Sequence, residues 1–235
     1  MRLSRWWMIL AIGLIVAVSE VWNLGTATAE PLKRGSQVSA NKSSTPATKS
    51  GDINLAASRV YIHVGKTGLG HEHAVMGSFQ SGSLKLGANA NAGALVFDMQ
   101  TFDADSDHAR RYIGLPGSTD AGTRDKVNAN MLGGAVLDVQ QFPTATFQIT
   151  SAKLVADKSG RGLPQYQLDG QFTLHGQTQN IAILADVEEK KSWLHLRGSF
   201  SILQTDYGIT PFSKAFGAIG VADKLDIWGD FWIAK

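Results

Sequence analysis

From Gln165 onward the chain alternates, and that alternation restricts the folds open to it. Tyr166, Leu168, Gly170, Phe172 and Leu174 alternate with Gln165, Gln167, Asp169, Gln171 and Thr173. This is the period-two pattern of a strand with one dry and one wet face. His175-Gly176-Gln177 reads as a tight turn into a second such run, Ile181, Ile183, Ala185 and Val187. Leu194, Leu196, Gly198 and Phe200 form a third, opposite Trp193, His195 and Arg197. The chain closes on Leu225, Ile227, Gly229, Phe231 and Ile233, alternating with Asp226, Trp228, Asp230 and Trp232. No helical period separates these strands, so they are joined by hairpins and pair antiparallel.

Earlier strands read less cleanly. Val60, Ile62 and Val64 share one face of an extended segment. His71 to Phe79 is a second strand that continues past Gly82 into Leu84–Leu86, and Leu95, Phe97 and Met99 give a third. There the alternation stops, and Asp103 to Arg111 reads as an acidic turn into a short helix packed by Tyr112 and Ile113. The stretch Thr123 to Thr150 then passes through Arg124-Asp125, a helical segment, a break at Gly133-Gly134 and a turn at Phe142-Pro143 before a strand around Phe147–Ile149.

The total is about eight strands with a short helical insertion, an all-β chain able to form a sandwich or a barrel. Closure is favoured because it removes sheet edges, and an eight-stranded barrel has an interior sized for side chains or one ligand. Gly170, Gly198 and Gly229 fall on inner faces, where glycine marks a bend or a place left open.

Residues 1–29 are not fold. Arg2 and Arg5 precede an uncharged apolar run from Trp6 to Val18, and Ala27-Thr28-Ala29 has the form of a cleavage site, so the segment reads as a signal peptide. Export to a periplasmic or extracellular location follows, or membrane anchoring if the leader stays uncleaved. Residues 30–51, rich in Ser, Thr, Lys and Pro, read as a flexible linker, and the barrel domain is expected over 52–235. The leader and linker also hold the excess basic charge. Six of the 22 Lys and Arg precede residue 51, against two of the 20 Asp and Glu, so the remainder carries 16 basic and 18 acidic residues. A domain with that balance does not bind nucleic acid through a basic face.

Several chemistries are excluded. With no Cys in the chain there are no disulfides and no thiolate sites. Gly65-Lys66-Thr67 fails as a phosphate loop because Val60 stands where the first Gly belongs. No Gly-x-Ser-x-Gly elbow is present, and the inner faces hold no titratable residue except Tyr166, so the chain is not expected to be an enzyme and requires no cofactor. His71 and His73, at i and i+2 of a strand, share a face and are candidate metal ligands lacking a placed third partner. Arg124-Asp125 is expected to cap the middle helix and tie it to the barrel.

The order of several short elements resembles the YceI-like family, exported lipocalin-like barrels associated with polyisoprenoid binding. They are Gly77-x-Phe79, Thr123-Arg124-Asp125, Phe142-Pro143-Thr144-Ala145-Thr146-Phe147, Asp169 to Thr178, Asp206-Tyr207-Gly208-Ile209, and the closing strand from Val221 to Ile233. The chain departs from the family at Val136-Leu137-Asp138-Val139 and at His71-x-His73. The resemblance implies an eight-stranded antiparallel lipocalin-like β-barrel holding an isoprenoid or similar amphiphilic lipid, with possible transient membrane contact. Phe97, Met99, Phe147, Tyr166, Leu168, Phe172, Ile181, Ile183, Leu196, Phe200, Ile227 and Phe231 would line its interior, and Arg124 would meet a polar head group. The alternatives are a metal- or haem-linked envelope protein using His71 and His73, and a solid barrel whose outward Trp193, Trp228 and Trp232 form a docking surface.

Overall fold

A computed structural model describes residues 48–235. The leader at 1–29 and most of the linker lie outside the described residues. Gly51, the last residue of the stretch expected to be linker, is tied to the barrel by its N–H, which donates to the Ala234 carbonyl (2.8 Å), and Asp52 and Ile53, the first of the expected barrel domain, bridge to Ser83 and Ile233.

The described chain contains nine strands and two α-helices. They are β1 (Arg59–Gly68), β2 (His73–Leu84), β3 (Gly93–Ala104), α1 (Asp107–Ile113), α2 (Ala121–Leu132), β4 (Thr144–Ala156), β5 (Gln165–Leu174), β6 (Gln177–Lys190), β7 (Trp193–Leu203), β8 (Ser213–Lys214) and β9 (Ile219–Ala234). Eight of them pair antiparallel in the order β1-β2-β3-β4-β5-β6-β7-β9, and β9 returns to pair with β1. The sheet is therefore a closed eight-stranded barrel, with the two-residue β8 appended to β9. The closing seam runs from Arg59↔Asp230 to Gly68↔Ile219, with a bulge between Val64 and Lys66.

Local chemistry explains the hairpins. His175 (φ 50°) and Gly176 (φ 74°) are both left-handed between the paired Leu174 and Gln177, the two-residue turn whose twist matches the strands it joins. The alternation read from the sequence is real. Leu168, Phe172 and Leu174 of β5 and Ile227, Phe231 and Ile233 of β9 are buried.

β3 extends five residues past Met99. Its pairing with β2 slips twice, between Met76 and Ser78 and between Phe79 and Ser81, and each bulge changes which residues face inward. Phe102 and Ala104 are consequently buried although the simple alternation had ended. A Cβ at Gly77 would lie 2.4 Å from the Phe102 ring, so the Gly77-x-Phe79 element keeps Gly because an aromatic ring occupies that space.

Between β3 and β4 the chain makes one excursion and returns to the neighbouring position in the wall. Ser106 caps α1, accepting from the Ala109 N–H, and Tyr112 stacks on Tyr61 of β1 at 3.5 Å and 8°. Asp120 caps α2, not the expected Arg124-Asp125 pair. Arg124 is instead a tie: its guanidinium reaches both Asp103 carboxylate oxygens (2.9 and 2.7 Å) and the Ala104 carbonyl (3.2 Å). Asn128 repeats the grip, donating to Asp103 and accepting from the Ala104 N–H.

The corner leading into α1 is built on Asp105, which is 2% exposed and left-handed at φ 57°. Its carboxylate accepts from His73 Nδ1 (2.7 Å), the Ala74 N–H (3.1 Å) and Arg110 (2.9 Å). Burial raises its pKa, but these donors outweigh burial and the net shift is downward from 3.8. A carboxyl depressed in the folded state contributes stability that is complete above its unfolded pKa and is lost as pH falls through the folded value. Asp105→Asn should therefore destabilise the barrel at neutral pH by about 3 kcal/mol, the scale for breaking a buried ion pair. It should also flatten the loss of stability below about pH 4. Urea unfolding across that range checks both, and an acid limb identical to that of the wild type would remove Asp105 as its source.

Candidate ligand-binding site

The barrel interior is neither solid nor an open tunnel. A cavity of about 160 Å³ occupies the end where β1, β3, β5 and β7 finish and β2, β4 and β9 begin. Val127, Asn130 and Met131 of α2 line it from above, joined by Val136 and Leu137 after the helix and by Ile209 and Phe212 before β8. The helical insertion thus lies across this end. A second void of about 40 Å³ sits deeper. Val60, Phe97, Phe172 and Phe200 border both, and the three rings meet edge to face, Phe97–Phe172 at 6.2 Å and 90° and Phe172–Phe200 at 6.0 Å and 81°. They form a partition. The opposite end is packed shut around Leu84, Ile149, Leu196 and Ile233, none more than 2% exposed.

Most residues expected to line the interior do so. Met99 and Ile227 border the larger cavity, Phe97, Phe172 and Phe200 border both voids, and Phe147, Leu168, Ile181, Ile183 and Phe231 border the smaller one. Tyr166 and Leu196 line neither. Leu196 is fully buried in the closed end, and Tyr166 pairs with Leu154 and Ala185 at the same end. Arg124 is also outside the lining. Its guanidinium is taken up by Asp103 and the Ala104 carbonyl rather than facing a head group.

The inner glycines divide by role. Gly198 and Gly229 pair directly across β7 and β9 and border the smaller void. At Gly229 a Cβ would meet only the Phe231 ring at 3.5 Å, so that glycine leaves room, whereas at Gly198 it would sit 2.8 Å from the Leu184 carbonyl oxygen, a close approach of neighbouring backbone. Gly170 faces the β4–β5 bulge, and a Cβ there would sit 2.2 Å from the Gln148 carbonyl oxygen. It marks a bend.

Sequence reasoning assigned no lining role to Ile62 and Val64, although their shared face was legible. It also missed Val127 and Met131, whose i, i+4 spacing on α2 was the available signal. Ile209 and Phe212 sit in irregular backbone with no periodicity to find them by.

Among the described residues the cavity's lining is apolar except for His73, Asn130 and Gln204, and includes no Lys, Arg, Asp or Glu. Nearby Tyr207 is 1% exposed and packs on the Phe172 ring; burial, then Asp206, pushes its phenol up to about 12. The proposed histidine pair does not form. His71 is exposed and precedes β2, so it shares no strand face with His73, whose Nδ1 is bonded to Asp105. Among the described residues no group of three or more His, Cys, Asp or Glu is placed to hold a metal ion. The outward tryptophans do not form an exposed patch either: all three are half-buried, and Trp232 stacks on His195 at 4.0 Å.

The barrel has known counterparts. BcnA of Burkholderia cenocepacia matches with a TM-score of 0.54 at 18% identity, over 78% of this chain and 100% of that one. A polyisoprenoid binding domain from Saccharophagus degradans, implicated in plant cell wall breakdown, matches with a TM-score of 0.53 at 13% identity, over 79% and 99%. At these identities the likeness is one of fold. No curated protein matches the sequence. The model of the YceI-like domain matches residues 52–231, from the first bridge of the barrel almost to the end of its closing strand, and the chain therefore belongs to the YceI-like domain family.

Proposed function

We propose that the protein is an exported, non-catalytic carrier that holds an isoprenoid or similar amphiphilic lipid inside the barrel. The observation that carries this reading is the apolar cavity of about 160 Å³ under α2; a solid interaction module would have none. The structural likeness to a polyisoprenoid binding domain supports the same ligand class, and the leader pattern of residues 1–29 supports export. Among the described residues no acid, base or nucleophile set converges on the cavity, which favours binding over chemistry.

Size sharpens the reading. A cavity of roughly 150 Å³ accommodates benzene, so the larger void as it stands has room for about one isoprene unit. A longer chain must turn the partition aside and reach the second void. Each buried methylene contributes about 0.8 kcal/mol, so a few isoprene units offset the loss of the ring contacts. Mass spectrometry of organic extracts from protein purified without detergent should find a stoichiometric polyprenyl lipid. An empty protein that also takes up no polyprenyl lipid would contradict the carrier reading. Phe200→Ala joins the two voids at a stability cost of up to about 4 kcal/mol. The bound lipids should shift to longer chains, and an unchanged length distribution would show that the rings do not set the limit.

Contact with a lipid surface belongs to the same reading. Phe216 and Leu69 are 112% and 79% exposed, and the Leu69 N–H donates to the Ala218 carbonyl, so the two tips are adjacent. They flank the cavity end, and exposed Lys66 and Lys214 lie beside them. Apolar tips ringed by cations suit a bilayer with anionic head groups. A Leu69→Ser/Phe216→Ser variant should lose several-fold in co-sedimentation with phosphatidylglycerol vesicles while keeping the wild-type melting temperature. Undiminished vesicle binding would rule these tips out.

A further inference from the structure

The polar groups of the larger cavity carry a second inference, which rests on the carrier reading and names the polar end of its ligand. His73, at the start of β2, lines the cavity with its Nδ1 already committed. Asp105 accepts from the Ala74 N–H and from Arg110 and has a depressed pKa, so it is a carboxylate and has no proton to give. The proton between the two groups therefore sits on Nδ1, and a neutral His73 keeps its lone pair on Nε2. Among the described residues Nε2 has no hydrogen-bond partner, and it is the ring nitrogen left for the cavity.

Gln204 completes the inventory. It is 5% exposed and lines the same cavity. Its Nε2 donates to the Ala222 carbonyl (2.8 Å), which leaves the Oε1 acceptor unused by that bond. Two of the three polar side chains thus have an acceptor to offer, one on β2 and one just after β7. Asn130, on α2, carries an amide able to serve either polarity.

Among the described residues no Lys or Arg lines the space. Arg110, bound to the same carboxylate as His73, is engaged by Asp105 and by the Gly117 and Pro116 carbonyls. A phosphate or diphosphate brought here would lose its hydration with no charge to compensate, a cost of several kcal/mol. A bare hydrocarbon would leave the acceptors unpaired. A quinone carbonyl, itself an acceptor, would face the lone pairs of His73 and Gln204 and find a donor only at Asn130 on the helix above. The group that satisfies the site is an uncharged donor.

We propose that His73, held by Asp105, is a recognition residue for a hydroxyl-bearing amphiphile, accepting the ligand O–H at Nε2. The bound molecule is accordingly a prenyl alcohol or phenol, and its diphosphate is discriminated against. His73 serves as a hydrogen-bond acceptor and not as a metal ligand.

The test uses lipid-stripped full-length protein and three probes with one hydrocarbon skeleton: geraniol, geranyl diphosphate, and the hydrocarbon with a methyl group in place of the hydroxymethyl. Calorimetric dissociation constants should rank geraniol about tenfold tighter than the hydrocarbon, the value of one net hydrogen bond, with the diphosphate weakest. In His73→Phe the alcohol preference should fall to within about twofold while hydrocarbon affinity is retained, which also certifies the fold. Diphosphate binding as tight as geraniol, or an alcohol preference that survives His73→Phe, overturns the assignment. Equal binding of alcohol and hydrocarbon by the wild type overturns the hydroxyl site and leaves the carrier reading standing. Failure of all three probes overturns both. If His73→Phe does not fold, the wild-type ranking decides.

Discussion

The pairing of β9 with β1 is the constraint on which the rest depends. Unpaired backbone along either strand would be a sheet edge open to association with another chain. β9 prevents this by its length: sixteen residues let it pair with β7 on one side and with β1 on the other, and carry β8 as well. Closure also defines an inside. Only once the wall is continuous do alternate residues from all eight strands face one another, and only then does the missing side chain of Gly229 leave a space within the core rather than a groove on a surface.

The wall was largely legible in the sequence because its signal is local. A strand with one dry face records burial every second residue, so ten of the twelve apolar residues assigned to the interior were found to border a void. The pattern gives the face but not the height along the axis. Leu196 and Tyr166 face the same way as Leu168, yet they stand at the packed end, where no space is left. Bulges hide more. Two register slips against β2 masked the last part of β3, and Phe102 with it.

Arg124 shows a different limit. Its partners lie 20 and 21 residues back, at the end of β3. An Arg beside an Asp at a helix start looks the same in sequence whether it caps the helix, meets a ligand or grips a distant strand. His73 is similar, since its part is defined by Asp105, 32 residues on. Its neighbour His71 supplied a plausible partner that the fold does not use. The residues that close the cavity from above come from a helix and irregular loops, where periodicity says least.

The way α2 is attached bears on time rather than on affinity. None of its residues is fully buried; it is held by the bonds from Arg124 and Asn128 to Asp103 and Ala104 and by the half-buried Val127, Met131 and Leu132. An element held by a few polar bonds and half-buried side chains opens at a small fraction of the cost of unfolding the wall below it. On the carrier reading, the residence time of a guest is then governed by the roof, while the barrel's durability is governed by the seam. The two properties reside in different residues, so selection can lengthen or shorten the hold on a cargo by changing side chains that never touch it.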